Sequence, residues 1–317
     1  MNRTCNILFL GGAKRVSVAR MLIDAGKEMG VDVNLYSYEI VERLPIACVA
    51  KVIVGKRWRD ADIYDDLHSV VERYGINVMI PFVDHAVAIV AAYRRMYGDV
   101  WAPVGSEDVA ERMFDKSAAA VAFEEAGLPV PRTHRVGEHP HFPLIAKPRH
   151  GSASQGIVVM ENMAQYQCLT RVLDNYLVQE YIENRQEFTL DCYATMDGEV
   201  LCTGARHRLE VTGGEVTRTV SVSEPRMEEA ARKAIVALGL RGAVTVQFMR
   251  EPSTGRVLIM EINPRLGGGV VCTIHAGAPI HRYIIAEAMG RRDLLVPAEV
   301  KPGVEIVRYP QEVVFGD

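Results

Sequence analysis

The stretch that decides the fold reads Val257-Leu258-Ile259-Met260-Glu261-Ile262-Asn263-Pro264-Arg265, and Leu266-Gly267-Gly268-Gly269 follows it. Its first four residues are all apolar, which predicts a central strand covered on both faces. Glu261 and Asn263 stand two residues apart, so on a strand their side chains point to one face. Two oxygen donors aimed at one point suit a hard cation such as Mg²⁺. Arg265 continues that face and can hold a phosphate, and the glycine triplet lets the backbone approach a ligand closely.

A further oxygen donor lies upstream, on a β-rich run at residues 243–249. Turn residues at 252–255 separate this run from the first strand, which predicts an antiparallel hairpin with Gln247 beside Glu261. Four polar groups then converge from two apolar strands. The alternative is a hairpin that ends in solvated polar residues. A ligand site is favoured, because such groups are costly to bury without a partner.

Composition and charge restrict the class of protein. The 317 residues predict two or three domains, and the 49% hydrophobic and 24% charged content is typical of a soluble globular protein. The net charge of −4 and the lack of a long basic run argue against nucleic acid as a partner. No apolar run approaches the length of a membrane span. The six cysteines are scattered without a Cys-x-x-Cys pair, so we expect a reducing, cytoplasmic location.

Residues 1–103 alternate strand and helix signals, with strands predicted at 6–10, 32–38, 77–82 and 100–103. This order implies a parallel, doubly wound sheet, in which ligands bind beyond the carboxyl ends of the strands. Lys14, Arg15, Asp84 and His85 occupy those ends. A solvated helix start is the alternative for the first pair, and helix capping is the alternative for the second.

A predicted strand–loop–strand hairpin follows at residues 144–160. Lys147 stands at the end of its first strand, and the connecting loop reads Gly151-Ser152-Ala153-Ser154-Gln155-Gly156. Such a hairpin can fold over a triphosphate, with the N–H groups of the loop as donors. It is not a Walker P-loop, because the motif is missing and a strand follows the loop. A disordered surface hairpin is the alternative.

Two further strands carry polar residues. Residues 176–182 end in Gln179-Glu180-Tyr181-Ile182, and residues 187–193 alternate polar and apolar side chains, which predicts a half-buried strand. Glu187 can accept from ribose hydroxyls, whereas Asp191 is either a ligand or a satisfied strand residue. Arg206 and Arg208 share a face of the next strand. They either bind an anion together or are solvent-exposed charges on an edge strand, where charge opposes aggregation.

Together with Lys116, at the start of a predicted helix, these residues resemble the ATP-grasp superfamily. The resemblance is closest to single-unit proteins similar to the ATP-binding half-units of the carbamoyl-phosphate synthase large subunit. It rests on Gln247, Glu261, Asn263 and Arg265, at separations of 14, 2 and 2 residues. It implies an α/β fold with a doubly wound, parallel-sheet pre-ATP-grasp domain at 1–103. An ATP-grasp domain of two α+β subdomains follows at 104–317, with a lid at about 130–182 and a metal-binding subdomain at about 183–295.

The resemblance also implies roles for single residues. Lysines contact the nucleotide phosphates, the 151–156 loop covers the triphosphate, residues 180–182 line the adenine pocket and Glu187 binds ribose. The expected nucleotide ligands are Lys116, Lys147, Gly151, Ser152, Ser154, Gly156, Gln179, Glu180, Tyr181, Ile182 and Glu187. Gln247, Glu261 and Asn263 are expected to hold two Mg²⁺ ions, or Mn²⁺. The expected catalytic residues are Arg265, which stabilises the transferring phosphoryl group, and Arg206 and Arg208, which face phosphate or acyl phosphate.

The implied activity is an ADP-forming carbon–nitrogen ligase that joins a small-molecule carboxylate to an amine through an acyl phosphate, with a homodimer expected by analogy. A full synthase large subunit has two such units and an allosteric domain, and 317 residues have room for one. Two alternatives stay open: an enzyme that phosphorylates carbamate or bicarbonate, and an ATP-binding regulator without turnover. The complete metal set argues against the regulator. Biotin carboxylases rank lower, because they usually carry a longer chain and a further C-terminal domain.

Overall fold

The computed structural model describes residues 4–135, 137–151 and 155–316, except for the side chains of residues 170 and 171. Its helices are α1 Val16–Met29, α2 Ile63–Tyr74, α3 Asp84–Tyr97, α4 Glu107–Phe114, α5 Lys116–Glu125, α6 Met163–Leu169, α7 Pro225–Ala237, α8 Val270–His275 and α9 Ile280–Ala288. Its strands are β1 Thr4–Leu10, β2 Asp32–Glu39, β3 Lys51–Val54, β4 Val78–Pro81, β5 Leu144–Pro148, β6 Val158–Met160, β7 Tyr176–Glu180, β8 Gln186–Ala194, β9 Val200–Thr212, β10 Glu215–Ser221, β11 Gly242–Arg250, β12 Val257–Asn263 and β13 Glu305–Val307. Short 3₁₀ helices lie at Pro45–Cys48, Thr170–Asn175 and Arg292–Leu294.

The first sheet is parallel, with strand order β3-β2-β1-β4. Its central strand β1 is apolar on both faces, because helices cover both sides of the sheet. Ile7 and Phe9 pack into a core with residues of α1. Leu8 and Leu10 pack into a second core with residues of α2 and α3. The predicted parallel sheet, with helices on both faces, is confirmed.

Two strand predictions in this region need correction. The strand at Lys51–Val54 was not predicted, because its four residues lie at the sheet edge and show no alternation of buried and exposed positions. The strand predicted at 100–103 is reduced to a single parallel bridge between Trp101 and Val78. Pro103 has no N–H to donate to a strand ladder, and the chain turns there to an antiparallel bridge between Val104 and Gly242.

The second sheet is antiparallel, with strand order β12-β11-β8-β9-β10-β13. β12 therefore lies at an edge, and the prediction that Val257 to Met260 form a central strand is wrong. Leu258 and Ile259 are nevertheless buried, because each packs into an apolar cluster. On the outer edge of the strand, the Ile259 N–H donates to the carbonyl of Pro129 at 2.7 Å. β8, predicted to be half-buried, lies between two neighbours and is buried from Phe188 onwards.

The third sheet has three antiparallel strands in the order β6-β5-β7. β5 and β6 form the hairpin predicted around the glycine-rich loop. Its strands are short and the apolar core beneath them is small, formed by residues such as Leu144, Met160, Tyr166 and Val178. This region therefore has less buried apolar surface to hold it than the two larger sheets.

One apolar core joins the start of the chain to its end. Phe9 and Leu22 pack in the same cluster as Tyr193, Tyr283 and Ile284. The parallel sheet is thus held against the six-stranded sheet through α9, and the ends of their strands face a common space. Within the described residues, we find no helix that is long and apolar enough to cross a membrane.

Candidate functional site

A cleft lies between the three-stranded and the six-stranded sheets. The predicted site residues that line it are Lys116, Lys147, Gly151, Glu180, Tyr181, Ile182, Glu187, Arg208, Gln247, Glu261, Asn263 and Arg265. Ser152 and Ser154 lie outside the described residues. Twelve of the predicted site residues, from several separate parts of the chain, therefore meet in one space.

The candidate metal ligands sit on the β11–β12 hairpin. In its register Gln247 lies opposite Glu261 and Thr245 lies opposite Asn263, as predicted for the first pair. The Gln247 Oε1 accepts from Arg208 at 3.5 Å, and the Asn263 Oδ1 accepts from Arg265 at 3.4 Å. The half-buried Glu261 carboxylate has no hydrogen bond or ion pair with any residue that the structure describes. Three oxygen donors, one of them an unpaired carboxylate, fit a hard divalent cation.

The charge of this donor set is low. Among the described residues, no group of three or more His, Cys, Asp or Glu side chains is placed to hold a metal. Mg²⁺ usually binds through one or two carboxylates together with substrate phosphates. One carboxylate and two amides suit an ion that arrives with a polyphosphate, and they are a poor site for an ion held by protein alone.

Lys147 is a buried cation whose side chain lines the cleft. Its Nζ donates to the Oε1 of Gln179 at 3.1 Å. Burial lowers the pKa of Lys147 to about 8, and the nearby Glu261 acts in the opposite direction. Gln179, predicted as a nucleotide ligand, does not line the cleft: it is 3% exposed and lies behind Lys147. A buried amide of this kind positions the ammonium group.

Lys116 reaches the loop from the start of α5. Its Nζ donates to the carbonyl of Gly151 at 2.6 Å. Asp115 caps this helix by accepting from the Ser117 N–H at 2.9 Å, and it also pairs with Arg149 at the end of the hairpin. The cap therefore ties the helix that carries Lys116 to the strand that carries Lys147.

The opposite end of the cleft is formed by residues 180–187. The Glu180 N–H donates to Arg132 O at 2.9 Å and the Tyr181 N–H donates to Pro143 O at 3.0 Å, so both amides are already used. The Ile182 amide forms no such bond within the described residues. The Glu180 side chain pairs with Arg256 at 2.9 Å. Of the described residues 180–182, the Ile182 N–H is left to meet a ligand.

Two charged pairs border this end and the middle of the cleft. Glu187 pairs with Arg185 at 3.1 Å and lies 3.6 Å from the Nε of Arg208. Arg185 lines the cleft but was not predicted, because an arginine in a loop between two strands has no distinguishing pattern. Gly156 does not line the cleft; its backbone has φ of 72° and packs on Pro148.

Arg265 connects the cleft to the parallel sheet. Its Nε donates to the Oδ1 of Asp84 at 2.6 Å, and both side chains are largely buried. Asp84 is the first residue of α3, and its side chain does not cap that helix, so the capping alternative is wrong for Asp84. His85 packs against the ring of Phe114, with 4.6 Å between ring centroids.

Arg206 is placed differently from its prediction. It does not line the cleft, and its Nε donates to the Oδ2 of Asp191 at 2.8 Å. The Oγ1 of Thr273 donates to the same oxygen at 2.6 Å, and the Arg206 and Asp191 side chains are each 2% exposed. Asp191 is therefore an ion-paired strand residue: its Oδ2 accepts two hydrogen bonds, and its Oδ1 is buried without a hydrogen-bond partner among the described residues. The solvated-edge alternative for Arg206 is excluded, because β9 lies inside the sheet.

Comparison with known proteins agrees with this geometry. Residues 173–311 match the family described as "ATP-grasp in the biosynthetic pathway with Ter operon". The carbamoyl phosphate synthase large chain of Thermus thermophilus is 27% identical over 233 residues, which cover 62% of this chain and 23% of that one. The chain is thus similar to an ATP-grasp family over residues 173–311 and to carbamoyl phosphate synthase large chains. It spans about a quarter of the length of that relative.

Solved structures place the same fold in proteins with different substrates. The biotin carboxylase domain of Hydrogenobacter thermophilus 2-oxoglutarate carboxylase, in complex with MgADP, ADP and bicarbonate, has a TM-score of 0.72 at 18% identity, covering 90% of this chain and 69% of that one. The L-amino acid ligase from Bacillus licheniformis has a TM-score of 0.70 at 15% identity, covering 91% and 75%. The ATP-grasp fold predicted from the sequence is confirmed, and at 18% identity or less these likenesses show the fold alone.

Proposed function

We propose that this ATP-grasp chain is an ATP- and Mg²⁺-dependent ligase that activates a carboxylate as an acyl phosphate and joins it to an amine. One observation carries the proposal: a single cleft gathers two lysines, three oxygen donors and Arg265 from three separate parts of the chain. The unpaired Glu261 carboxylate and the buried Lys147 are costly to maintain without a ligand of mixed charge. Mg-ATP supplies a cation for the first and phosphates for the second.

We assign the residues of the cleft different roles according to their position along it. Lys147 and Lys116 bind phosphate oxygens; Lys116 exchanges its bond to the Gly151 carbonyl for one to the nucleotide. Gln247, Glu261 and Asn263 would hold Mg²⁺, which would supply positive charge to offset that of the phosphates. Arg265 is kept in a fixed orientation by Asp84, so that its guanidinium is ready for the transferring phosphoryl group. The Ile182 N–H and Glu187 face the base and the ribose.

The reaction then has two steps. A carboxylate oxygen of the acid attacks the γ-phosphorus, the bond from that phosphorus to the bridging oxygen breaks, and ADP leaves. The amine nitrogen attacks the acyl carbon, phosphate leaves, the nitrogen releases a proton, and an amide forms. Closure of the β5–β6 hairpin over the cleft would exclude the water that hydrolyses an acyl phosphate.

We also propose the finer division of the fold. Residues 1–103 form the pre-ATP-grasp domain and residues 104–317 the ATP-grasp domain, with the lid at about 130–182 and the metal-binding part at about 183–295. The separation of the three sheets supports this division. The shared apolar core described above means that the first domain is packed firmly against the second.

The decisive assay measures ADP and phosphate release from Mg-ATP with pools of small carboxylic acids and amines, added separately and together. A ligase releases ADP only when both an acid and an amine are present, and mass spectrometry of the mixture finds the amide. Tight ATP binding with no release from any pool would contradict the ligase and support a regulator that binds nucleotide without turnover.

The second candidate is phosphorylation of bicarbonate or carbamate. It is supported by the similarity to carbamoyl phosphate synthase large chains and by the bicarbonate bound in the biotin carboxylase domain described above. ADP formation that requires bicarbonate and no organic acid would favour this candidate. ADP formation that persists after bicarbonate has been removed from the buffers would exclude it.

A further inference from the structure

A second cavity continues from the phosphate end of the cleft towards the parallel sheet. It shares Asp84, Arg208, Gln247, Asn263 and Arg265 with the cleft, so the two spaces meet at the candidate phosphoryl-transfer point. Its volume is about 260 Å³, the volume of roughly eight or nine water molecules at about 30 Å³ each. A small organic acid fits there with its reactive carboxylate at the junction.

The wall of this cavity is rich in cations and hydroxyl groups. It is lined by Arg15, Arg206, Arg208 and Arg265, with Thr189 and Thr245 beside them. Two carboxylates also line it, and both are already paired: Asp84 with Arg265, and Glu215 with Arg15 and Arg308. Arg206 and Arg208 also have carboxylate partners, Asp191 and Glu187. The wall therefore offers an anion spare guanidinium N–H donors, and it has no excess of positive charge.

Arg206 provides the most specific sign of a ligand. Its Nε is bound to Asp191, but its Nη1 is buried without a hydrogen-bond partner among the described residues, as is the nearby Thr189 Oγ1. A buried guanidinium N–H left unpaired costs free energy, so the structure has a reason to fill this position. Gly269 leaves the space open: a Cβ there would lie 2.7 Å from that nitrogen.

Arg15 faces the cavity from the loop before α1. It lies 3.7 Å from Glu215, a long ion pair, and that carboxylate is closer to Arg308, at 3.1 Å. Burial lowers the pKa of Arg15, and Glu215 acts in the opposite direction. Arg15 is thus a largely buried cation whose only described carboxylate is shared, and a second anion beside it would complete its pairing.

We propose that the second cavity binds a second anionic group of the acid substrate, a carboxylate or a phosphate, through Arg206 and Arg15. The proposal rests on the ligase function proposed above, because it assigns the acid's reactive carboxylate to the junction near Arg265. It specifies the substrate class: an acid with two anionic groups, held by one while the other is phosphorylated. Bicarbonate has no second group to place in this cavity.

The test compares acids that differ by one anionic group. Succinate is paired with butyrate, and phosphoglycolate with glycolate, and binding to the full chain is measured by ligand-observed NMR in the presence of Mg-ADP. We expect succinate or phosphoglycolate to bind and its counterpart to bind about tenfold or more weakly. The two pairs separate a carboxylate from a phosphate as the group that the arginines recognise.

Three variants connect this binding to the cavity. Arg15→Ala is expected to weaken binding of the dianion about tenfold or more and to leave the affinity for ATP unchanged. Arg206→Lys keeps a cation beside Asp191 but removes the second guanidinium donor, and it should show a similar loss. Arg308→Ala is the matched control: it removes the other partner of Glu215 but does not line the cavity, and it should bind as the wild type does.

The outcomes separate this inference from the proposed function. Equal binding of the paired acids, no binding of either dianion, or equal effects of Arg15→Ala and Arg308→Ala would overturn the inference. ADP release with monocarboxylic acids would support the proposed ligase function, and it would overturn the inference that the acid carries a second anionic group. Arg15-dependent dianion binding with no release from any acid and amine pool would support the anion site and overturn the ligase.

Discussion

The cleft and the second cavity are both built from charged side chains, but they keep those charges in different states. In the cleft, Glu261 has no ion pair within the described residues, and Lys147 has only a neutral amide. In the wall of the second cavity, Arg206 is buried and bound to Asp191, which is also buried. Charges left unpaired are available to a ligand and add little to the fold. A buried pair holds two strands together, and only its spare donor is available.

The largest expected effect comes from Glu261→Ala. We expect the rate of Mg²⁺-dependent ADP formation to fall at least about 1,000-fold, because the only carboxylate of the metal set is lost. We expect the free energy of unfolding in urea to stay within about 0.5 kcal/mol, because the side chain has no partner to leave behind.

Glu251→Ala is the control for this variant. Glu251 lies in the turn of the same hairpin, and among the described residues its side chain is paired with Arg256 and Thr254 of that turn. Its variant should keep full turnover. A Glu261→Ala protein that loses several kcal/mol of stability would contradict the view that this carboxylate is unpaired in the folded protein.

The opposite behaviour is expected of Asp191→Ala. Removing this carboxylate leaves the Arg206 guanidinium buried without its ion pair, which costs about 3 kcal/mol of unfolding free energy. Urea denaturation measures the loss. The double variant Asp191→Leu with Arg206→Met should recover a large part of it, because it removes both charges together. A single variant as stable as the wild type would show that the pair does not hold β8 to β9.

The parts of the site predicted from the sequence are those with local spacing. Glu261 and Asn263 share a face because a strand alternates, and Gln247 joins them because a short turn leads back to it. The hairpin carrying Lys147 was found for the same reason. The resemblance to ATP-grasp proteins extended these local patterns to Lys116 and to residues 180–187.

The parts that could not be predicted depend on contacts between distant segments. Arg265 and Asp84 are 181 residues apart in sequence, and no periodicity links them. Arg206 was assigned to an anion because its alternation with Arg208 is visible. Its partner Asp191 lies on another strand, 15 residues away, and became evident only from the packing of β8 against β9. The apolar run of β12 indicated burial correctly but could not show that the strand lies at an edge.

A pH titration tests whether Lys147, the buried lysine of the cleft, is available to a ligand. The pKa of Lys147 is lowered to about 8, so the free protein carries this charge below about pH 8 and loses it above. Bound phosphates favour the protonated form. We therefore expect the affinity for ATP to be full near pH 7 and to fall about tenfold by about pH 9. Equilibrium binding of a fluorescent ATP analogue measures this.

Lys147→Arg is the variant that isolates the effect, because arginine stays charged throughout this range. Its affinity should depend little on pH, whatever its absolute value. The same decline in wild type and variant would assign the titration to another group and remove the buried lysine from the phosphate site.

The smallest effect is expected at the exposed rim of the cleft. Arg256 pairs with Glu180 at 2.9 Å and with Glu251 at 2.7 Å, and its side chain is 43% exposed. Arg256→Ala should change the unfolding free energy by less than about 1 kcal/mol, because solvent screens such pairs. The affinity for ATP should stay within about twofold, since the segment is expected to meet the base through the Ile182 N–H and not through the Glu180 side chain. A tenfold loss of affinity would contradict this and would mean that the Arg256–Glu180 pair holds residues 180–182 in position for the base. Ion pairs would then be needed to position groups in the cleft as well as in the second cavity.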